Sequence, residues 1–189
     1  MTDPHFFGYG SLVNRRTHDY PAARAARIRG WARSWCQTGL RDVAFLTAVP
    51  DASAEIDGLI AQVPGQDWNA LDAREWAYAR RSATAAPLNP AEAALQVAIY
   101  EVPADAHRVE AEPAPILLSY LDVVVQGYLN EFGPDGAHRF FATTGGWRRP
   151  ILNDRATPRY PRHQRLTVDE TDFVDAQLSR LASVVKELD

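Results

Sequence analysis

One short stretch near the start of the chain restricts the fold more than any other. His5-Phe6-Phe7 is apolar and aromatic, as a short buried strand would be, and it runs directly into Gly8-Tyr9-Gly10-Ser11. Two glycines in four residues predict a sharp turn, because glycine adopts backbone angles that other residues resist. Successive N–H groups in such a turn can converge on an anion. Two interpretations stay open: a tight turn without chemistry, and an anion-binding turn that also presents the Tyr9 phenol and the Ser11 hydroxyl.

The spacing of these glycines excludes the two common nucleotide-binding loops. G-x-x-x-x-G-K-[ST] requires a lysine, and none follows Gly10. G-x-G-x-x-G requires a third glycine where this chain has Val13. A nucleotide is therefore not the expected ligand, and the net charge of −4 argues against nucleic acid as the main partner.

Length and composition are those of one ordinary globular domain. The chain has 189 residues, of which 46% are hydrophobic and 23% charged. We expect a single domain over residues 1–189, with a helical extension from about residue 135. The sequence does not determine the oligomeric state.

The expected setting is cytoplasmic. No apolar run approaches the roughly 20 residues of a membrane helix, and the first residues lack the features of a signal peptide. The single cysteine, Cys36, excludes an internal disulfide and lies in an aromatic segment, which favours a structural thiol in a reducing compartment. We expect no membrane partner.

Apolar patterns predict strands first and helices later. Strand candidates are residues 26–37 with a bulge at Gly30, 44–49 ended by Pro50-Asp51, 55–63, and 94–102. Helix candidates are residue 68 to about 80 capped by Asp67, 116–132 started by Pro115, 135–142, and a last helix capped by Thr171, with Phe173, Leu178, Leu181, Val184, Val185 and Leu188 on its apolar side. Gly127 predicts the close approach of another backbone. Together these elements predict an α+β fold, a small, mixed, mostly antiparallel barrel-like sheet with flanking helices.

Glu75 is the candidate for a catalytic acid or base that would act beside the opening turn. On a helix, Leu71, Glu75 and Tyr78 share one face, at spacings of four and three. A partly apolar face disfavours an ionised carboxylate and raises its pKa toward neutrality, as a general base requires. The competing interpretation is an exposed Glu75 that pairs with Arg74 or Arg80.

A proline-broken basic segment spans residues 148–165. It carries six arginines and His163 against one acid, Asp154. Such a segment can hold phosphate or carboxylate, and we take Arg148 and Arg149 as candidates for a substrate carboxylate because they follow a Gly-Gly hinge and Trp147. The alternative is a solvated loop that pairs with the protein's own acids.

Four of these features resemble one superfamily. Phe7-Gly8-Tyr9-Gly10-Ser11-Leu12 resembles the [FY]-G-Y-G-S-[NL] opening of the γ-glutamylcyclotransferase-like superfamily, in the leucine form of its ChaC and AIG2-type branches. Leu71-Asp72-Ala73-Arg74-Glu75 resembles the segment that ends in the family's catalytic glutamate. Gly58 resembles a glycine of the preceding strand, and Tyr120 the tyrosine that opens a later helix facing the pocket. The resemblance covers about the first two-thirds of the chain and has no counterpart for residues 148–165.

The resemblance implies the superfamily's fold and reaction. In that reaction the α-amine of a γ-glutamyl compound attacks its own γ-carbonyl, releasing 5-oxoproline and an amine or amino acid without metal or cofactor. Glu75 would transfer the protons as general acid and base. The substrate would be held by Tyr9, Gly10, Ser11, Leu12 and Tyr120. The alternative is a non-catalytic module of the same fold that binds a small acid, and the choice between glutathione, γ-glutamyl dipeptides and γ-glutamylamines is left open.

Overall fold

A closed barrel forms the centre of the computed structural model, which describes residues 3–109, 111–181 and 185–187. The barrel strands are β1 (His5–Gly8), β2 (Arg24–Cys36), β3 (Phe45–Gln62), β4 (Ala79–Pro87) and β5 (Leu95–Glu101). They lie in the order β3-β1-β5-β4-β2, and β2 pairs back onto β3 to close the sheet. β1 and β5 are parallel and the other barrel pairings are antiparallel. The predicted α+β fold with a mixed, mostly antiparallel barrel-like sheet is confirmed.

Helices and short strands surround this barrel. The helices of the described chain are α1 (Trp68–Arg74), α2 (Leu118–Thr143) and α3 (Val168–Arg180), and the short strands are β6 (Ile116–Leu117), β7 (Thr144–Gly145), β8 (Ile151–Asn153) and β9 (Val185–Glu187). β7 pairs with β2, whereas β6, β8 and β9 form a second small sheet. One apolar core joins the barrel interior to α2 and α3. None of the described helices combines the length and apolarity that crossing a bilayer requires.

β3 is one continuous strand of 18 residues, so the predicted break at Pro50-Asp51 is wrong. Pro50 pairs with Trp31 where the register of the β2–β3 ladder shifts, between Arg29 and Trp31. Proline lacks the N–H that a regular ladder uses, and a bulge is one of the few places in a sheet that tolerates it. The bulge predicted at Gly30 is confirmed.

α1 ends at Arg74, well before the predicted end near residue 80. Its predicted cap is confirmed, because the Asp67 side chain accepts a hydrogen bond of 3.2 Å from the Asn69 N–H. After a short turn, residues 79–87 form β4, which the sequence did not predict. Alanine and arginine favour helix in isolation, and pairing with β5 and β2 overrides that preference. Glu75 consequently follows the helix instead of lying on its face.

α2 spans both of the helices predicted for its region. It bends at Gly133, where φ is 66° and Pro134 follows. Its expected first turn at Pro115 is wrong, because residues 116–117 pair with β8. A Cβ on Gly127 would lie 2.7 Å from the Asn14 nitrogen, which confirms the predicted close approach of another backbone.

The last helix begins earlier than predicted. Thr167, not Thr171, caps α3 through a capping box with Glu170. Leu178 is buried in the core as expected. Val185 is exposed in β9 and not helical, while Val184 and Leu188 lie outside the described residues.

Candidate active site

A cavity of about 230 Å³ lies between β3, the end of α1, the start of α2 and residues 160–162. A narrower space of about 30 Å³ adjoins it along the opening turn. The residues that line both are Ser11, Leu46, Glu75, Tyr78 and Tyr120. The structure therefore brings the opening turn, the predicted glutamate and Tyr120 to one place.

The opening turn leaves the barrel at the end of β1 and closes as a single 3-10 turn. The Val13 N–H donates to the Gly10 carbonyl at 3.0 Å, and the Asn14 N–H donates to the Ser11 carbonyl at 3.1 Å. The first N–H groups of such a turn have no acceptor within it. That of Ser11 is directed at the Tyr120 hydroxyl, and that of Leu12 takes no part in the turn's own hydrogen bonds. A Cβ on Gly10 would lie 2.6 Å from the Tyr120 hydroxyl. Glycine is needed here because of that close approach.

The side chains of Tyr9 and Leu12 are both engaged by other parts of the protein. The Tyr9 hydroxyl donates to the Tyr100 carbonyl at 2.5 Å and accepts from the Ala48 N–H at 2.8 Å. The Tyr9 phenol is thus engaged within the protein and contributes a wall to the narrower space. The Leu12 side chain packs in a small core cluster with Leu71.

Glu75 follows α1 directly, and its N–H donates to the Leu71 carbonyl at 2.9 Å. Its side chain is 16% exposed, and Oε1 lies 3.2 Å from Nε of Arg74. This Nε makes no aligned hydrogen bond, so the contact is an ion pair only. The rest of the Arg74 guanidinium donates to the Thr17 carbonyl at 2.8 Å and to Ser11 Oγ at 3.2 Å. Glu75 therefore pairs with Arg74, as the competing interpretation held, but inside the cavity wall instead of on the surface.

Burial sets the acidity of Glu75. Loss of water raises the pKa of its carboxyl above the ordinary value, and the guanidinium groups of Arg74 and Arg162 oppose that rise. The raised pKa brings this carboxyl closer to the range in which one group can both accept and return a proton.

Two phenols complete the wall around Glu75. Tyr78 donates to the Leu46 carbonyl at 3.0 Å. Tyr120 stands edge-on to Trp35 and to Tyr160, with ring centroids 5.9 and 4.9 Å away. Burial raises the pKa of both tyrosines well above normal, so both are neutral hydroxyls at physiological pH.

The basic segment is docked on α2 through its single acid. Asp154 is buried and accepts from the Ser119 N–H at 2.7 Å and the Ser119 hydroxyl at 2.5 Å. The Arg159 N–H donates to the same carboxylate at 2.9 Å. Arg155 binds Asp122 through two hydrogen bonds of 2.8 Å. Arg155 thus shows the pairing with the protein's own acids that the alternative interpretation predicts, in a part of the segment that defined contacts hold in place.

Arg148 and Arg149 do not line the cavity. Arg148 is exposed, and Arg149 Nη1 donates to Gln37 Oε1 at 3.1 Å. The arginine that the basic segment brings to the cavity is Arg162, together with Tyr160. A second cation at the cavity, Arg41, stacks over Trp76 at 5.1 Å from the ring centroid. The sequence pointed to the basic segment, part of which lines the cavity, but it carried no signal that selected Arg162 or Arg41.

The other reactive groups lie apart from this chemistry. Burial raises the pKa of the Cys36 thiol to about 11, which keeps it protonated. Among the described residues, no three His, Cys, Asp or Glu side chains cluster as metal ligands would.

Solved structures share the architecture of this barrel, and several of them are titled γ-glutamyl cyclotransferases. One titled gamma-glutamyl cyclotransferase has a TM-score of 0.59 and 15% identity, covering 92% of this chain and 99% of its own. An uncharacterized protein from Homo sapiens gives 0.62 and 14%, covering 93% and 99%. A yeast γ-glutamyl cyclotransferase specific to glutathione gives 0.50 and 14%, covering 96% and 97%. At these identities the likeness shows the fold alone.

The match to a family model shows to which family the chain belongs. The model described as ChaC-like protein matches residues 5–108, more than half of the chain. The chain therefore belongs to the ChaC-like family, as the resemblance predicted. The match includes the opening turn and Glu75 but neither Tyr120 nor the basic segment. No curated protein sequence matches the chain at a significant level.

Proposed function

We propose that the protein is a γ-glutamylcyclotransferase. It cleaves a γ-glutamyl amide by attack of the α-amine on the γ-carbonyl, and it releases 5-oxoproline and an amine or amino acid. The observation that carries the proposal is Glu75, a largely buried carboxylate in the same cavity as the opening turn. Membership of the ChaC-like family and the fold shared with γ-glutamyl cyclotransferases support it.

In the proposed reaction Glu75 carries the proton. Its carboxylate accepts a proton from the α-ammonium, and the freed amine attacks the γ-carbonyl. The attacking nitrogen loses a second proton as it becomes the lactam N–H. Both protons go to the leaving nitrogen as the amide C–N bond breaks, so the leaving group departs as an ammonium. One carboxylate can serve each transfer in turn, because each proton that it takes from the attacking nitrogen is returned to the leaving nitrogen. Nucleophile and carbonyl belong to one molecule, so the enzyme has only to hold the folded conformation.

The opening turn would stabilise the negative charge of the substrate. The N–H groups of this turn suit a carboxylate or the oxyanion that develops on the γ-carbonyl. Arg74 would hold this arrangement together, since it contacts Glu75 and Ser11 at once. The neutral phenols of Tyr78 and Tyr120 would border the glutamyl half.

The partner we propose is a small molecule, and the location we propose is the cytoplasm. The cavity volume of about 230 Å³ suits a compound of the size of a γ-glutamyl amide or short peptide. The half of the substrate that leaves would lie toward Arg41 and Arg162.

A substrate panel tests the proposal. Purified protein is incubated with glutathione, a γ-glutamyl dipeptide and a γ-glutamylamine, and 5-oxoproline is quantified. Release from at least one compound, lost in folded Glu75→Gln, is the expected result. Binding of 5-oxoproline by wild-type protein without release from any compound would contradict catalysis and favour a non-catalytic binding module.

A further inference from the structure

A buried cation lies behind the opening turn. Arg33, on β2, is 2% exposed, and its guanidinium carbon lies 5.0 Å from the centroid of the Tyr128 ring. The carboxylate of Asp57 is bound by two other arginines, Arg27 at 2.7 Å and Arg139 at 2.9 Å. Arginine stays protonated in proteins, and a buried charge is costly unless hydrogen bonds compensate it. Arg33 therefore carries a charge in the core that its polar neighbours must hold.

Those polar neighbours are all neutral. Nη2 of Arg33 donates to Thr143 Oγ1 at 2.8 Å. Nη1 donates to the hydroxyl of Tyr128 and, at 3.2 Å, to the backbone carbonyl of Asp57. The guanidinium thus holds the Tyr128 oxygen as an acceptor, so the phenol proton must point elsewhere.

Tyr128 connects the Arg33 guanidinium to the opening turn. Its side chain is fully buried, and its hydroxyl lies 3.0 Å from the Tyr9 carbonyl and 2.7 Å from the Asp57 carbonyl. A phenol donates one hydrogen at a time. The Asp57 carbonyl has Arg33 as a second donor, which leaves the phenol hydrogen available to the Tyr9 carbonyl.

The Tyr9 carbonyl fixes the direction of the next N–H. A peptide unit is planar and trans, so the Gly10 N–H points opposite to the Tyr9 C=O. With that carbonyl directed at Tyr128 in the core, the Gly10 N–H is directed to the other side of the turn, where Gly10 lines the narrower space. Linked hydrogen bonds also polarise one another, so a cation at one end strengthens the donor at the other.

We propose that Arg33 and Tyr128 are positioning residues that aim and polarise the Gly10 N–H toward an anionic group of the ligand. The chain of contacts runs from the Arg33 guanidinium to the Tyr128 hydroxyl, the Tyr9 carbonyl and the Gly10 amide. The ligand group is a carboxylate or a developing oxyanion. This inference rests on the proposed function and names the residues that direct one donor of the turn.

Tyr128→Phe is the test, because it removes one oxygen and keeps the ring. In ligand-free protein labelled with ¹⁵N, we expect the Gly10 amide proton to shift upfield. We also expect the Kd for 5-oxoproline and the KM for the substrate to rise roughly three- to tenfold, the effect of one lost hydrogen bond. Thr143→Val is the matched control: it removes another hydrogen bond of Arg33 but leaves the link to Tyr9 intact, so the Gly10 resonance and both constants should stay at wild-type values.

The proposal is overturned if Tyr128→Phe leaves the Gly10 resonance and the Kd unchanged, or if Thr143→Val changes both equally. Should Tyr128→Phe fail to fold, Arg33→Lys replaces it: an upfield Gly10 shift is expected, and its absence counts against the relay. The two levels of failure are distinct. A wild-type protein that releases no 5-oxoproline contradicts the proposed function and with it this inference, whereas turnover with an unaffected Tyr128→Phe variant contradicts this inference alone.

Discussion

Arg74 and Glu75 are adjacent in the chain and are also an ion pair, with Nε of Arg74 3.2 Å from Oε1 of Glu75. Consecutive residues seldom face one another in a helix, because side chains one apart point in different directions. The pair forms here because α1 ends at Arg74 and the chain turns at Glu75. The end of α1 thus places a carboxylate and a cation against the same cavity.

Glu75→Gln should abolish most of the activity. Glutamine keeps the shape of the side chain but cannot accept the proton, and a positioned proton transfer contributes roughly 10²–10⁴-fold to the rate. The measurement is 5-oxoproline release under saturating substrate. Glu101→Gln is the matched control, since Glu101 pairs with Arg81 away from the cavity. A folded Glu75→Gln enzyme with near wild-type turnover would remove Glu75 from the mechanism.

The pH profile of kcat/KM should report Glu75. The base must be ionised, so the rate rises with pH through the pKa of Glu75, and burial places that rise above the ordinary carboxyl range of about 4.3. Arg74→Gln removes the largest opposing charge and should move the ascending limb to still higher pH. Arg80→Gln, whose partner is Asp72, should leave the limb in place. A limb that does not respond to Arg74→Gln would contradict this assignment.

Glu75→Gln should also stabilise the protein at neutral pH. The pKa of Glu75 is raised in the folded state, so the wild type loses stability as pH rises through that pKa, and Gln avoids the loss. We expect the Tm of the variant to exceed that of wild type at pH 7 by roughly one to a few degrees. The difference should shrink as pH falls and vanish below about pH 4, where Glu75 is protonated in both states. The measurement is the Tm of both proteins across the pH range. A variant less stable than wild type at pH 7 would contradict the claim that the buried, ionised Glu75 destabilises the folded state.

Gly10→Ala should impair both stability and binding. The added Cβ meets the Tyr120 hydroxyl at 2.6 Å, and Tyr120 is packed between the rings of Trp35 and Tyr160. Gly10→Val should abolish binding of 5-oxoproline. The double variant Gly10→Ala, Tyr120→Phe removes the clashing oxygen and should recover part of the lost Tm, with Tyr120→Phe alone as the reference. A Gly10→Ala variant with unchanged Tm and Kd would show that the turn accommodates a Cβ at position 10 without a steric clash.

Arg162→Ala should raise KM for substrates whose leaving half ends in a carboxylate. A charge-assisted hydrogen bond is worth about 1.5–3 kcal/mol, so the increase should be on the order of tenfold, reduced by the exposure of this side chain. A neutral γ-glutamylamine should show little change. Arg148→Ala and Arg149→Ala are the matched controls, since neither side chain lines the cavity. Equal effects on charged and neutral substrates would mean that Arg162 only shapes the cavity mouth.

The sequence predicted the parts of the molecule that depend on local pattern. Alternating strands closed by turns gave the barrel class, and the glycine-rich opening gave the turn that lines the cavity. The prediction for α1 shows the limit. Residues 79–87 lack a clear strand pattern, and only their pairing to β5 and β2 makes them β4. The sequence places Glu75 on a helical face, whereas the structure places it in the turn after α1, and that turn directs its side chain into the cavity.

Contacts between distant segments could not be predicted. Arg162 reaches the cavity because Asp154 docks its segment on Ser119, and a buried aspartate in a basic stretch carries no such instruction in sequence. The neighbours of Arg149 in the chain suggest a substrate contact. Its side chain instead binds Gln37, a residue far away in the sequence. The sequence therefore predicts that an arginine of the basic segment faces the cavity, but it does not identify which arginine.

The cavity draws on four widely separated parts of the chain, with Ser11, Glu75, Tyr120 and Tyr160 among its walls. During synthesis the opening turn therefore leaves the ribosome long before its counterparts exist, and the cavity wall closes only when residues 160–162 have emerged. Pairings over such sequence distances form slowly. A nascent or truncated chain that stops short of Tyr160 should thus contain the barrel strands and the proposed base, yet hold its ligand poorly, which delays function until residues 160–162 are in place.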